Sequence, residues 1–426
     1  MGRRVTSKCV AVLALLASGL GQIAAARAET MLTLWSQWAD HDSKRAFVSD
    51  AIKAFEAANP GVKLKTTWYE KNALYTALKT ALRAGQGPDI FALENDQFEY
   101  VQNNLLLDLT GGLDWSAIEP WAKKAWTFEG KAYAFPLEAW TLEVYYNKKI
   151  MSDLGVSAPP GGQMSYEAFL ETVRKSAAER ITPISLGVGD RPFPGAFLTQ
   201  EALLKMLGTE DYGRLLAGQL SWRDTRAVAA LMLVKRIIDA GGLPRNFTSL
   251  KLGESHAYFY GNPTSALFLS GSYYTSRAFN PPEKGGQPAD FPLGIMNYPA
   301  LPGAACNSCK TLAVGGSYVV NARTRYPDLA VRFLNSMATP AMGEKWVENV
   351  LVQTGIKVDP GKIKGRYAGY FRELAAANAD ATYFIGLPIS VLTGARKETF
   401  AQVVNLAFPA GLMSVQEVVD RMEAAR

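Results

Sequence analysis

Residues 31–96 read MLTLWSQWADHDSKRAFVSDAIKAFEAANPGVKLKTTWYEKNALYTALKTALRAGQGPDIFALEND, and the changing period of their apolar residues decides the fold. Met31 to Trp35 is strand-like. Phe47, Val48, Ala51, Ile52 and Phe55 then share one helical face, which stops at Asn59-Pro60-Gly61. Val62, Leu64, Thr66 and Trp68 alternate as a strand does, and Leu74, Leu78 and Leu82 follow at helical spacing until Gly85 to Pro88 breaks the pattern. Asp89 to Leu93 is a third strand, and Phe98, Val101 and Leu105 open a third helix. Alternating strands and helices with short connections predict a parallel sheet covered on both faces. In such sheets ligands lie beyond the carboxyl ends of the strands. Those ends are Ser36-Gln37-Trp38, Tyr69-Glu70-Lys71-Asn72 and Glu94-Asn95-Asp96.

The same grammar continues outward. Tyr166 to Lys175 is helical, Ile184 to Val188 a strand, and Val228 to Ile238 a helix ended by Gly241-Gly242. Ala266 to Leu269 is a strand running into Gly271-Ser272-Tyr273-Tyr274, and Pro281 to Pro292 is a loop rich in Pro and Gly. Leu329 to Met337, Gly343 to Val350 and Ser414 to Arg426 are helical. In the other direction, residues 1–28 read as a secretion signal: Arg3, Arg4 and Lys8 precede an apolar stretch from Val10 to Ile23, and Ala26-Arg27-Ala28 offers small residues for cleavage. The segment carries four positive residues and no acid, so its removal takes the formal net charge from +6 to +2. That balance gives no reason to expect nucleic acid or an anionic membrane as partner. About 400 mature residues exceed one ordinary core, and two domains are expected.

Chemistry-bearing motifs are scarce. Two histidines, His41 and His256, exclude a histidine-rich metal site, and Gly315-Gly316-Ser317-Tyr318-Val319 lacks the closing glycine of a nucleophile elbow. Gly361-Lys362 is followed by Ile363, which is not a phosphate-binding loop. Glu94, Asp96 and Glu138 are the carboxylates a glycosidase would need, but nothing marks one of them as a buried acid. No catalytic residue, metal or cofactor is expected. Cys9 leaves with the signal, so Cys306 and Cys309 remain as a pair, and a structural disulfide is the simplest reading in an oxidising compartment. A redox-active CxxC or half a zinc site is the sharper alternative.

Several short motifs occur in a telling order. Leu32-Thr33-Leu34-Trp35, Ala84-Gly85-Gln86-Gly87-Pro88-Asp89-Ile90 and Gly130 to Pro136 come first, with Tyr145-Tyr146-Asn147-Lys148 after them. Ala266 to Gly271, Tyr298 to Gly303 and Gly315-Gly316-Ser317 follow. From Met31 to Trp346 the chain resembles the bacterial extracellular solute-binding family of ABC importers, the sugar-binding group that includes maltose-binding protein. The resemblance implies an α/β fold of two discontinuous lobes joined by hinge strands, residues 29–139 and 297–352 forming one and 140–296 and 353–426 the other. It also implies a monomeric periplasmic carrier that captures a sugar between its lobes and hands it to two membrane permease subunits driven by a cytoplasmic ATPase.

Sugars present apolar C–H faces rimmed by hydroxyls, so a site needs aromatic planes and planar polar side chains. The candidates are Gln37, Trp38, Glu94, Asp96, Glu138, Trp140, Tyr273 and the Gly316-Ser317 backbone. Some have a competing role: core packing for Trp38 and Trp140, capping of the helix near Gln97 for Asp96, a plain turn at Gly316-Ser317. Tyr273 replaces the family's tryptophan and adds a hydroxyl. Rival readings are a ferric-ion carrier using Tyr273-Tyr274, a polyamine or peptide carrier, and a secreted hydrolase.

Overall fold

Apart from Met1, the computed structural model describes residues 29–261 and 264–426. The expected signal, residues 1–28, with Cys9, therefore lies outside the described residues except for Met1. No helix among the described residues is long and apolar enough to cross a membrane.

Fourteen strands are described. They are β1 (Thr30–Ser36), β2 (Val62–Trp68), β3 (Ile90–Leu93), β4 (Thr127–Phe128), β5 (Lys131–Ala132), β6 (Ala134–Pro136) and β7 (Ala139–Asn147), then β8 (Gln163–Ser165), β9 (Thr182–Ser185), β10 (Ser265–Gly271), β11 (Leu293–Ala300), β12 (Cys309–Val314), β13 (Ser317–Val320) and β14 (Thr382–Ile385). The first sheet has the order β2-β1-β3-β13-β6, with β1 parallel to β2 and β3 and β13 antiparallel to its neighbours. Helices Asp42–Ala58 and Lys71–Arg83 make the crossovers, burying Phe47, Val48, Ile52 and Phe55 from one and Leu74, Leu78 and Leu82 from the other. Glu70 caps the second helix through the Asn72 and Ala73 amides. The expected third helix is only one turn, Glu99–Gln102, because the chain turns at Asn104, whose φ is +54°.

The second sheet runs β14-β12-β7-β10-β9, and β11 and β8 continue it from the other part of β7. β7 is buried at every residue because it is paired along both edges and covered on both faces. Trp140, Leu142, Val144 and Tyr146 point into one core, while Thr141, Glu143 and Tyr145 alternate onto the opposite face.

The lobe boundary expected at 297 is moved by the strand pairing. β11 extends through Ala300 and β12 through Val314, both on the second sheet. Tyr298 is buried there, its hydroxyl donating to the Leu198 carbonyl at 3.0 Å. The chain returns to the first sheet only at Gly315-Gly316, where Glu138 N–H donates to Gly316 O and Gly315 N–H to Glu138 O. A third passage runs through 353–358. The Thr354 hydroxyl donates to Leu137 O at 2.7 Å, and Gln353 Oε1 accepts from Thr141 N–H at 3.1 Å and from the Ser272 hydroxyl. Helix Ala368–Ala377 and β14 follow on the second lobe.

Candidate binding cleft

The carboxyl ends of β1, β2 and β3 form one wall. Gln37 Nε2 donates to Glu94 Oε1 at 3.2 Å, Tyr75 donates its hydroxyl to Gln37 Oε1 at 3.3 Å, and Lys71 Nζ lies 2.5 Å from Glu94 Oε2. Burial pushes the Glu94 carboxyl up, but Lys71, then Lys44 and the Gln37 amide, outweigh it and hold the group below its usual range. Asp96 behaves oppositely: burial and the neighbouring Glu94 charge raise it, and its one side-chain hydrogen bond comes from Gln97 at 3.1 Å. Asp96 caps nothing, since Phe98 occupies the N-cap of the short helix without a side-chain bond.

The opposite wall is built by the segments after β9 and β10 and by helix Gly394–Gln402. Tyr273 is half-buried, with its ring perpendicular to Trp140 at 5.2 Å. Gly271 is required between these rings, because a Cβ there would sit 2.3 Å from Tyr273 and 2.6 Å from Trp140. The walls face each other: Arg191 acts electrostatically on both Lys71 and Tyr273, Arg277 on His41 and Tyr273, and Lys397 on Asp96.

Several expected ligand groups serve the protein instead. Trp38 is 2% exposed and packs at 5.8 Å from Tyr318 and 5.6 Å from Trp346, so no face is offered to a solute. A Cβ on Gly316 would lie 2.4 Å from Trp38, so this glycine admits an indole rather than a ligand. Ser317 is fully buried, accepting from Trp126 Nε1 at 2.9 Å and donating to Gly315 O. Glu138 is engaged by Lys44 at 2.6 Å with both residues buried. Trp140, 8% exposed, lies edge-on beneath Tyr273 and near Phe197. The cleft therefore brings together Gln37, Glu94, Asp96 and Tyr273 from the sequence reading. It adds Lys71, Tyr75, Arg191, Arg277 and Lys397, of which only Lys71 lay in a strand end that the sequence marked.

The adjacent tyrosines diverge. Tyr274 is buried and donates its hydroxyl to Gln287 at 2.7 Å, which removes it from any shared iron site with Tyr273. Cys306 and Cys309 form a disulfide, their Cα atoms 5.3 Å apart. Lys205 ties this loop to helix Phe197–Leu216 by donating to the carbonyls of Asn307 at 2.6 Å and Cys309 at 2.9 Å.

With this geometry in place, comparison with known proteins is decisive for the family. Residues 38–344 match the model of the bacterial extracellular solute-binding protein family. The chain belongs to that family. This solute-binding protein is 27% identical over 361 residues to the diacetylchitobiose binding protein of Streptomyces coelicolor, covering 82% of this chain and 78% of the relative. It is 22% identical over 312 residues to the multiple sugar-binding protein of Streptococcus mutans, covering 71% and 70%. Among solved structures it resembles one from work on xylan utilization by the thermophilic bacterium Caldanaerobius polysaccharolyticus. That match has a TM-score of 0.79 at 19% identity and covers 92% of this chain and 99% of the other. A chitin oligosaccharide binding protein matches with a TM-score of 0.78 at 22% identity, covering 93% and 98%. The two-lobed solute-binding fold is thereby shown, and the family is one of binding proteins rather than enzymes.

Proposed function

We propose that this protein is the periplasmic capture component of an ABC importer and that its solute is a sugar held between the two lobes. The observation that carries the reading is the composition of the facing walls. Tyr273 supplies a partly exposed aromatic side chain on one lobe, and Glu94 and Asp96 supply partly exposed planar polar groups on the other, with the buried Gln37 orienting Glu94. An apolar plane opposite hydrogen-bonding side chains is what a pyranose ring requires. The relatives named above for chitobiose, multiple sugars and chitin oligosaccharides support the same class.

A solute touching both walls gains its full contacts only when the lobes close, and this difference in affinity drives closure. The protein performs no chemistry on the solute; it acts as a monomer and delivers its cargo to a pair of permease subunits, with the ATPase engaged indirectly. Titration calorimetry of the mature protein against chito-, xylo- and malto-oligosaccharides tests the assignment. Saturable binding at one site per chain is expected for at least one series. Heat of binding with iron, polyamines or peptides and none with any saccharide would reject it.

A further inference from the structure

We infer that the captured saccharide is acidic, with a sugar ring against Tyr273 and a carboxylate gripped by Arg191 and Arg277 on the second lobe. The inference rests on the sugar reading and names the class of sugar.

Several charges in the cleft are already answered within the protein. On the first lobe, Glu94 is held by Lys71 at 2.5 Å and Glu138 by Lys44 at 2.6 Å. Asp96 is the remaining acid of that wall, and the cation acting on it from across the cleft is Lys397. The two arginines of this wall of the second lobe have one acid between them among the described residues. Arg277 is exposed and makes no ion pair among the described residues; its guanidinium lies 3.0 Å from where a Cβ on Gly253 would stand, at the start of helix Leu252–Tyr260. The carboxylate nearest Arg191 is Asp190, a distant 4.0 Å away, and one of its oxygens already accepts the Leu252 N–H at 2.8 Å. Asp190 and Arg277 thus meet the same helix start, which brings the two guanidiniums to one patch; His256, one turn further along that helix, stacks with Tyr273 at 6.3 Å and sets the patch beside that ring.

Closure over a neutral sugar would strip water from these two cations and leave Asp190, at 4.0 Å from Arg191, as the one acid against the pair among the described residues, an uneven balance that proteins avoid. A carboxylate on a ring stacked against Tyr273 would project from the ring edge toward them. The guanidinium fork suits a carboxylate because it donates two parallel hydrogen bonds.

The test is calorimetry on the full mature protein with length-matched pairs: neutral xylo-oligosaccharides against glucuronate-bearing ones, and galactobiose against digalacturonate, with glucose 6-phosphate as a second anion. The acidic member of at least one pair should bind ten-fold or more tightly at low salt, with the advantage shrinking as salt rises. Arg277→Gln and Arg191→Gln should each bring the acidic-to-neutral affinity ratio toward one at unchanged melting temperature. Neutral sugars binding as tightly as their acidic partners, or a ratio unmoved by both substitutions, would overturn the inference while leaving a sugar carrier. A preference for the phosphate would overturn the carboxylate assignment. Binding of no saccharide at all would defeat the sugar reading and this inference with it.

Discussion

Replacing Lys44 by Met removes one partner of a buried ion pair at the junction of the lobes. Lys44 is 4% and Glu138 7% exposed, and they meet at 2.6 Å. Glu138 also joins the first and second crossings through its backbone bonds to Gly315 and Gly316. Breaking a buried pair from one side leaves an uncompensated charge and costs roughly 3–5 kcal/mol. A single lobe has about 200 residues, for which each kcal/mol moves the melting temperature by about 2–4 °C, so Lys44→Met should melt on the order of 10 °C lower. Lys44→Met combined with Glu138→Gln should recover most of that loss, because the orphan charge is gone. Calorimetric melting of both variants at low and high salt checks this, with little salt dependence expected for a pair screened from solvent. If the single variant loses under about 1 kcal/mol, or the double variant recovers nothing, the charge on Glu138 is not held by Lys44 in the way described.

Three further outcomes are expected. Trp38→Ala should cost about 3–5 kcal/mol of stability, as for a large core aromatic, with solute affinity of the folded protein unchanged; lost affinity at an unchanged melting temperature would return Trp38 to the site. His256 is 2% exposed, and burial first, then the Arg277 charge, lowers its pKa to about 3. It is therefore neutral when folded and protonated when unfolded between about pH 6.5 and 3, so stability falls as pH drops through that window, by on the order of 3 kcal/mol at pH 4. His256→Leu should lose less stability between pH 7 and pH 4 than the parent, and an equal loss would place the acid sensitivity elsewhere. Small-angle scattering should show the radius of gyration fall in one saturable step when a binding sugar is added; tight binding with an unchanged radius would contradict solute-driven closure.

The alternating architecture was legible because it is local. Leu74, Leu78 and Leu82 announce a buried helix face by spacing alone, and Ala84 to Ile90 announces the turn into β3. The boundary of the second lobe was not legible, since only pairing with β7 places β11 and β12 on the second sheet. The site divides the same way. Gln37, Glu94, Asp96 and Tyr273 follow strand ends that periodicity reveals. Sequence gives a strand end but not the direction of each side chain there, so Trp38 and Gln37, adjacent in the chain, part company: the indole enters the core and the amide turns to Glu94. Arg191, Arg277 and Lys397 carry no motif at all. Asp96 and Lys397, 301 positions apart, come to one cleft because two lobes bring their walls face to face, a long-range fact that no local pattern encodes.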